Sequence, residues 1–315
     1  MDFVALGIQV VLLIVGFVLL IKGSDFFVDG SSSIASLLKI PTLIVGLTIV
    51  AFGTSAPEAA VSITSSLTGN NALAVSNVIG SNLFNILLII GICALLKELE
   101  LEKKVLNTDL PFLVIVTLIA SAFILISWNI TRIEGIILVL ILIGYVIYLI
   151  YSTKKSEASQ EVEKPKMGLP RSIIYIVGGI AAIVIGADLV VDSASYIAIA
   201  CGMSETLVGL TIVAMGTSLP ELVTSLTALR KGETELIIGN VIGSNIFNIL
   251  FVLGASAAIS PIAVNQNMLF DVVLMIFVTI LCFIFAKTQD KYDKKEGVIL
   301  VALYVIYMAF AILRN

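Results

Sequence analysis

Long apolar runs, each closed by Gly, Pro, Asn or a cluster of charge, recur along this 315-residue chain. Ten of them, about 4–34, 41–66, 74–96, 111–128, 133–152, 171–199, 206–229, 236–259, 268–286 and 297–313, read as helices that cross a membrane, since a bilayer core takes ~20 apolar residues in helical form. The stretch Ser152–Pro170 (STKKSEASQEVEKPKMGLP) is the one plausible linker. It divides the chain into residues 1–152, a linker at 153–170, and residues 171–315, with five spans on either side.

The two groups are copies of each other. VGLTIVAFGTSAPE, from Val45 to Glu58, matches VGLTIVAMGTSLPE, from Val208 to Glu221, at 12 of 14 positions. NVIGSNLFNIL from Asn77 matches NVIGSNIFNIL from Asn240 at 10 of 11, and both pairs share an offset of 163. The same offset carries Asp25 and Asp29 onto Asp188 and Asp192. Because each copy has an odd number of spans, the second enters the membrane from the opposite side. The expected fold is therefore an all-α integral membrane protein, with ten transmembrane helices in two inverted five-helix repeats. Such repeats place a binding site near the midplane, where the copies meet.

Charge sets the expected orientation. With the N-terminus outside, 16 of the 18 Lys and Arg residues fall on inner connections and Arg132 and Arg314 remain outside, so a multi-pass cell-membrane protein with both termini external is expected. The first apolar run follows Met1-Asp2 without a basic n-region and is expected to stay as a helix.

Composition removes several functions. The chain is 59% hydrophobic and 13% charged, with a mean hydropathy of +1.14, and ten spans leave short loops and no room for a soluble catalytic domain. It has no histidine, which excludes a Ser–His dyad, an HExxH zinc site and an imidazole relay. A net charge of −4 with no basic tract offers nothing to nucleic acid. Cys93, Cys201 and Cys282 sit far apart in apolar runs and read as packing residues. No cofactor is expected, and no obligatory protein partner is evident beyond the lipid bilayer.

Two carboxylates stand out. Glu58 and Glu221 lie at equivalent positions inside apolar spans, where an acidic residue costs roughly 2.5–3.5 kcal/mol on insertion scales and marks function by default. In GTSAPE and GTSLPE the proline removes a backbone N–H and crowds the carbonyl four residues back, so each span is expected to break and release carbonyls toward a cavity. Thr54, Ser55, Thr217 and Ser218 add hydroxyls there. GSNxFN supplies Ser81 and Asn85, four apart on one helix face, with Ser244 and Asn248 as mates; Asn82, one residue round, is expected to point elsewhere. Asp25, Asp29, Asp188 and Asp192 read as interfacial residues near helix ends. The collected donors are oxygens, which select hard cations: Ca²⁺ accepts irregular oxygen shells, Na⁺ suits the same groups, and Mg²⁺ demands stricter geometry.

The paired GTSxPE and GSNxFN motifs resemble the two alpha repeats of the cation/calcium exchanger superfamily, closest to its sodium/calcium exchanger branch in a compact prokaryotic form. The resemblance covers essentially the whole chain. It implies an antiporter, not an enzyme, that exchanges Ca²⁺ for Na⁺ by alternating access through one midplane site. It also implies that Glu58 and Glu221 bind Ca²⁺ with the carbonyls of Thr54 and Thr217. One flanking Na⁺ pocket would use Glu58, Ser81, Ser218 and the Ala214 carbonyl; its mirror would use Glu221, Ser244, Ser55 and the Ala51 carbonyl. Members of the K⁺-dependent branch carry an aspartate matching Asn248, so the neutral amides of Asn85 and Asn248 point away from K⁺. A proton-coupled Ca²⁺ antiporter is the main alternative. A Ca²⁺ channel is a lesser one, since such sites usually lie on an oligomer axis.

Overall fold

A segment surrounded by lipid must satisfy its own backbone N–H and C=O groups, and apolar runs of this length do so as helices. The computed structural model describes residues 3–69, 71–156, 165–264 and 268–314; the middle of the linker, 157–164, lies outside them. Its helices are α1 Phe3–Leu38, α2 Thr42–Thr54, α3 Ala56–Leu67, α4 Asn71–Leu96, α5 Val105–Ser127 and α6 Arg132–Ser156 in the first half. The second half has α7 Leu169–Ala200, α8 at 205–216, α9 Leu219–Lys231, α10 Thr234–Ile259, α11 Leu269–Gln289 and α12 Lys294–Arg314. Among the described residues, eight helices are long and apolar enough to cross a bilayer, or nine when α2 and α3, bent by 48°, count as one span. The chain is thus a multi-pass membrane protein. The span expected at 206–229 is divided between α8 and α9, and neither piece reaches crossing length alone.

Helices α4 and α10 form the buried centre; every residue from Leu236 to Leu250 is enclosed. Helices α1 and α7 run antiparallel along one flank. Gly16, Gly23 and Gly30 recur every seven residues on α1 and meet Gly186, Gly179 and Ser172, also seven apart, on α7. A Cβ at any of the three α1 glycines would lie 2.9 Å from the facing carbonyl oxygen. Small residues at this spacing let two backbones touch along their length, which is how helices gain packing energy where lipid removes the hydrophobic incentive. The outer face of α1, with Val4, Ile8, Val11, Ile14 and Val18 exposed, is an apolar surface suited to lipid.

Two short antiparallel ladders tie the halves together at their loops. β1 (Leu99–Glu100) pairs with β4 (Lys291–Tyr292), and β2 (Asn129–Ile130) pairs with β3 (Ile262–Ala263). Each ladder joins the first half to the second.

Candidate cation-binding site

Both GTSxPE motifs break their helices at the serine, two residues before the proline. Ser55 (φ −85°, ψ 10°) and Ser218 (φ −93°, ψ 5°) leave helical geometry, and Pro57 and Pro220 fall at the second position of α3 and α9. A proline there loses no hydrogen bond, because the first N–H groups of a helix have no internal partner anyway. The helix upstream of each break is also loosened: Gly46–Val50 and Gly209–Val213 wind as π-helix. So do Phe84–Ile90 within α4 and Asn248–Leu253 within α10. Such wide turns cluster at functional sites, and nothing in their apolar letters distinguishes them from ordinary helix.

Ser-x-x-Glu at a helix start ordinarily forms a capping box, with serine and glutamate closing on each other's backbone. Here neither Ser55 nor Ser218 caps its own helix. Ser55 Oγ instead donates to Glu221 Oε1 at 2.7 Å, and Ser218 Oγ donates to Glu58 Oε1 at 3.0 Å. Each half therefore gives up a local cap, an interaction of about 1 kcal/mol, to hold the carboxylate of the other half. Ser81 adds a bond of 3.3 Å to Glu58 Oε1. Both glutamates are fully buried, each in the first turn of its helix, where the positive end of the dipole favours a carboxylate. Glu58 Oε2 and Glu221 Oε2 are enclosed and have no protein partner among the described residues. A buried, unpaired carboxylate oxygen is costly unless a cation compensates it.

The remaining expected donors are unequally buried. Thr54, Ser81, Asn85, Ser244 and Asn248 are all buried, whereas Thr217 is half-buried and Ala214 is exposed. Among the described residues Asn248 has neither amide atom paired, and Asn85 donates to Asn245 Oδ1 at 3.2 Å with its own oxygen unpaired. Asn82 turns away, toward the Met275 sulfur at 3.8 Å, so it and its mate Asn245 are not equivalent. The Ala51 oxygen, a donor implied by the family resemblance, accepts the Ser55 N–H at 3.0 Å and keeps a second lone pair. In the second half the Ser218 N–H turns to the Met215 oxygen at 3.2 Å instead of Ala214. Ser81 and Asn85 straddle the start of a π segment, which loosens the shared-face relation that ordinary helix spacing implies.

Sequence reasoning passed over Asn77 and Asn240, the residues that open the second motif. Asn77 Nδ2 donates to the Glu58 carbonyl (3.2 Å) and to Ser62 Oγ (2.9 Å), and its Oδ1 accepts from the Thr217 hydroxyl (3.3 Å). Asn240 repeats the pattern with the Glu221 carbonyl (3.4 Å), Ser225 Oγ (3.1 Å) and the Thr54 hydroxyl (3.0 Å). The available signal was an identical amide at the same offset inside two apolar spans.

An oxygen-lined site with two buried carboxylates, assembled from two copies of one motif pair in a membrane, is the arrangement of a cation transporter. The family model described as sodium/calcium exchanger protein matches residues 8–151 and again 171–313. Among relatives, CaxA of Alkalimonas amylolytica is 43% identical over 264 residues, covering 81% of this chain and 82% of its own length. The sodium/calcium exchanger MaX1 of Methanosarcina acetivorans is 32% identical, covering 96% and 97%. Among solved structures, the sodium-calcium exchanger NCX_Mj soaked with Na⁺ and Sr²⁺ superposes with a TM-score of 0.85 at 30% identity, covering 96% of this chain and 97% of that one. The chain belongs to the sodium/calcium exchanger family.

Proposed function

We propose that this protein is a cell-membrane antiporter that exchanges Ca²⁺ for Na⁺ through one site between two inverted five-helix halves, residues 1–152 and 171–315, with ten crossings, both termini outside and 153–170 as the inner linker. The observation that carries the reading is the reciprocal hold of each glutamate by the other half's serine, with one oxygen of each carboxylate left unpaired. Two carboxylates neutralise one Ca²⁺, and the surrounding hydroxyl, amide and carbonyl oxygens suit Ca²⁺ or Na⁺. Thr54, Thr217, Ser55, Ser218, Ser81, Ser244, Asn85, Asn248 and the carbonyls of Ala51 and Ala214 are the donors around Glu58 and Glu221. No covalent chemistry is required. The cross-half loop ladders support the inverted arrangement, because β1 and β4 both fall on connections assigned inside and β2 and β3 both fall on connections assigned outside.

The coupling ion is tested by Ca²⁺ uptake into vesicles loaded with Na⁺, K⁺ or choline, with and without an imposed pH gradient. Uptake that follows the Na⁺ gradient alone is expected. Uptake driven by pH alone, or uptake that needs K⁺ beside Ca²⁺, overturns the assignment.

A further inference from the structure

We infer that Asn77 and Asn240 are positioning residues of the exchange site, each tying the kink threonine of the opposite half to the glutamate-bearing helix of its own half. This deepens the antiporter reading and rests on it. Three features carry it. The tie occurs twice, at the same offset and with the same three kinds of partner. Both ties cross between the halves, so neither is ordinary packing within a repeat. Each asparagine also reaches the carbonyl of the glutamate residue itself, so the threonine at one break and the carboxylate at the other are held in one linked geometry.

The chemistry calls for an amide at these positions. Oδ1 accepts from the threonine while Nδ2 donates to a carbonyl and to a serine. An aspartate would lose both donations and add a charge beside two existing carboxylates, and an aliphatic residue would lose all three bonds. The tie can also be released. The single Thr54 hydroxyl proton has a second acceptor, the Val50 carbonyl at 3.1 Å, almost as near as Asn240 Oδ1 at 3.0 Å. If the two helices part, Thr54 turns to its own helix at little cost, and Asn240, fully buried, is left with an unpaired oxygen. The tie therefore favours the geometry in which α2 and α10 are together. Asn77 is less enclosed and its bond to Thr217 is longer, so water can replace part of that tie.

The test is Na⁺-driven Ca²⁺ uptake in vesicles by the wild type, Asn240→Ala, Thr54→Val and the double variant, with KM for Ca²⁺ and maximal rate measured separately. Loss of its three hydrogen bonds raises the KM of Asn240→Ala by about tenfold, with the maximal rate per inserted protein within about twofold. Asn77→Ala shows a smaller rise. Thr54→Val keeps the side-chain shape and the backbone carbonyl, so it tests the same bond where Asn240→Ala inserts poorly. The double variant should be no worse than Asn240→Ala alone, because both remove one interaction. An unchanged KM in Asn240→Ala or Thr54→Val, or strictly additive effects, overturns the positioning role while leaving the antiporter reading intact. Absence of Na⁺-driven uptake in the wild type overturns the antiporter reading itself, and the positioning role with it.

Discussion

Helices α2 and α8 are spelled with nearly the same letters, yet they pack in opposite ways. On α2, a Cβ at Gly46 would lie 2.9 Å from the Gly239 Cα of α10, and a Cβ at Gly243 would lie 2.7 Å from the Ala51 Cβ, so the two backbones touch. The mates of Gly46 and Gly243 are Gly209 and Gly80, and a Cβ at either would meet no atom within 4 Å among the described residues. Ala51 is buried and Ala214 exposed. One end of the molecule is sealed around the glutamates and the other is parted.

Differences in sequence follow this asymmetry. Glu235 Oε2 accepts the Leu43 N–H at the start of α2 (3.3 Å), whereas the position matching Glu235 is Ala72. Asp25 of α1 is bound by Arg230 and Lys231, and Asp29 by Lys231 at 2.8 Å, with Lys166 near both Asp29 and Glu233. The mates of Arg230 and Lys231 are Leu67 and Thr68, and Asp188 and Asp192 are exposed, without an ion pair among the described residues. The motifs that hold the site are duplicated, while the residues that fasten one end are not. On the proposed orientation the fastened end is the inner one, and the proposed alternating access would have the outer end close in the same manner through Gly80 and Gly209.

The largest effects should ignore the asymmetry. Glu58→Gln and Glu221→Gln should each abolish Ca²⁺ transport without preventing insertion, because either leaves one carboxylate to balance a divalent ion. Robust uptake by the double variant would sink the site. Next, Gly243→Val and Gly80→Val should act in opposite directions. Added bulk in a tight seam costs ~1–3 kcal/mol, so Gly243→Val parts the sealed end, while Gly80→Val fits the present structure and prevents the other end from sealing. Both slow transport by about tenfold or more. Labelling of a cysteine at Ala214 by an impermeant thiol reagent from outside, with the exposed Cys201 replaced, should rise in Gly80→Val and fall in Gly243→Val. The same direction in both would break the comparison. Smaller again is Lys231→Ala, which removes the pairs to Asp25 and Asp29. Partly exposed pairs are worth ~0–1 kcal/mol, so outer labelling should fall by up to about fivefold, and less at high salt. Asp188→Asn, with no ion pair to lose among the described residues, should stay near wild type.

Much of the site was legible because its chemistry is written in rare letters. Glu58 and Glu221 are conspicuous inside apolar spans, and the offset of 163 pairs Ser55 with Ser218 and Ser81 with Ser244. What stayed hidden depends on which half a side chain reaches. Ser-x-x-Glu is equally a self-contained cap, and only the meeting of the α2–α3 break with α9 sends Ser55 to Glu221. Asn82 and Asn245 share a motif position yet face a sulfur and an amide, because their helices have different neighbours. The π turns leave no mark in runs of Leu, Ile and Val. The seven-residue glycine spacing of α1 and α7 was readable in the sequence but predicts close contact only once its partner is known.

The account rests on one site shared by both ions and open to one side at a time. The most direct measurement follows release of Ca²⁺ from loaded vesicles diluted into medium containing Na⁺, Ca²⁺ or choline alone. Release into Na⁺ and into Ca²⁺, with none into choline, is the predicted result; release into choline at a comparable rate would contradict it.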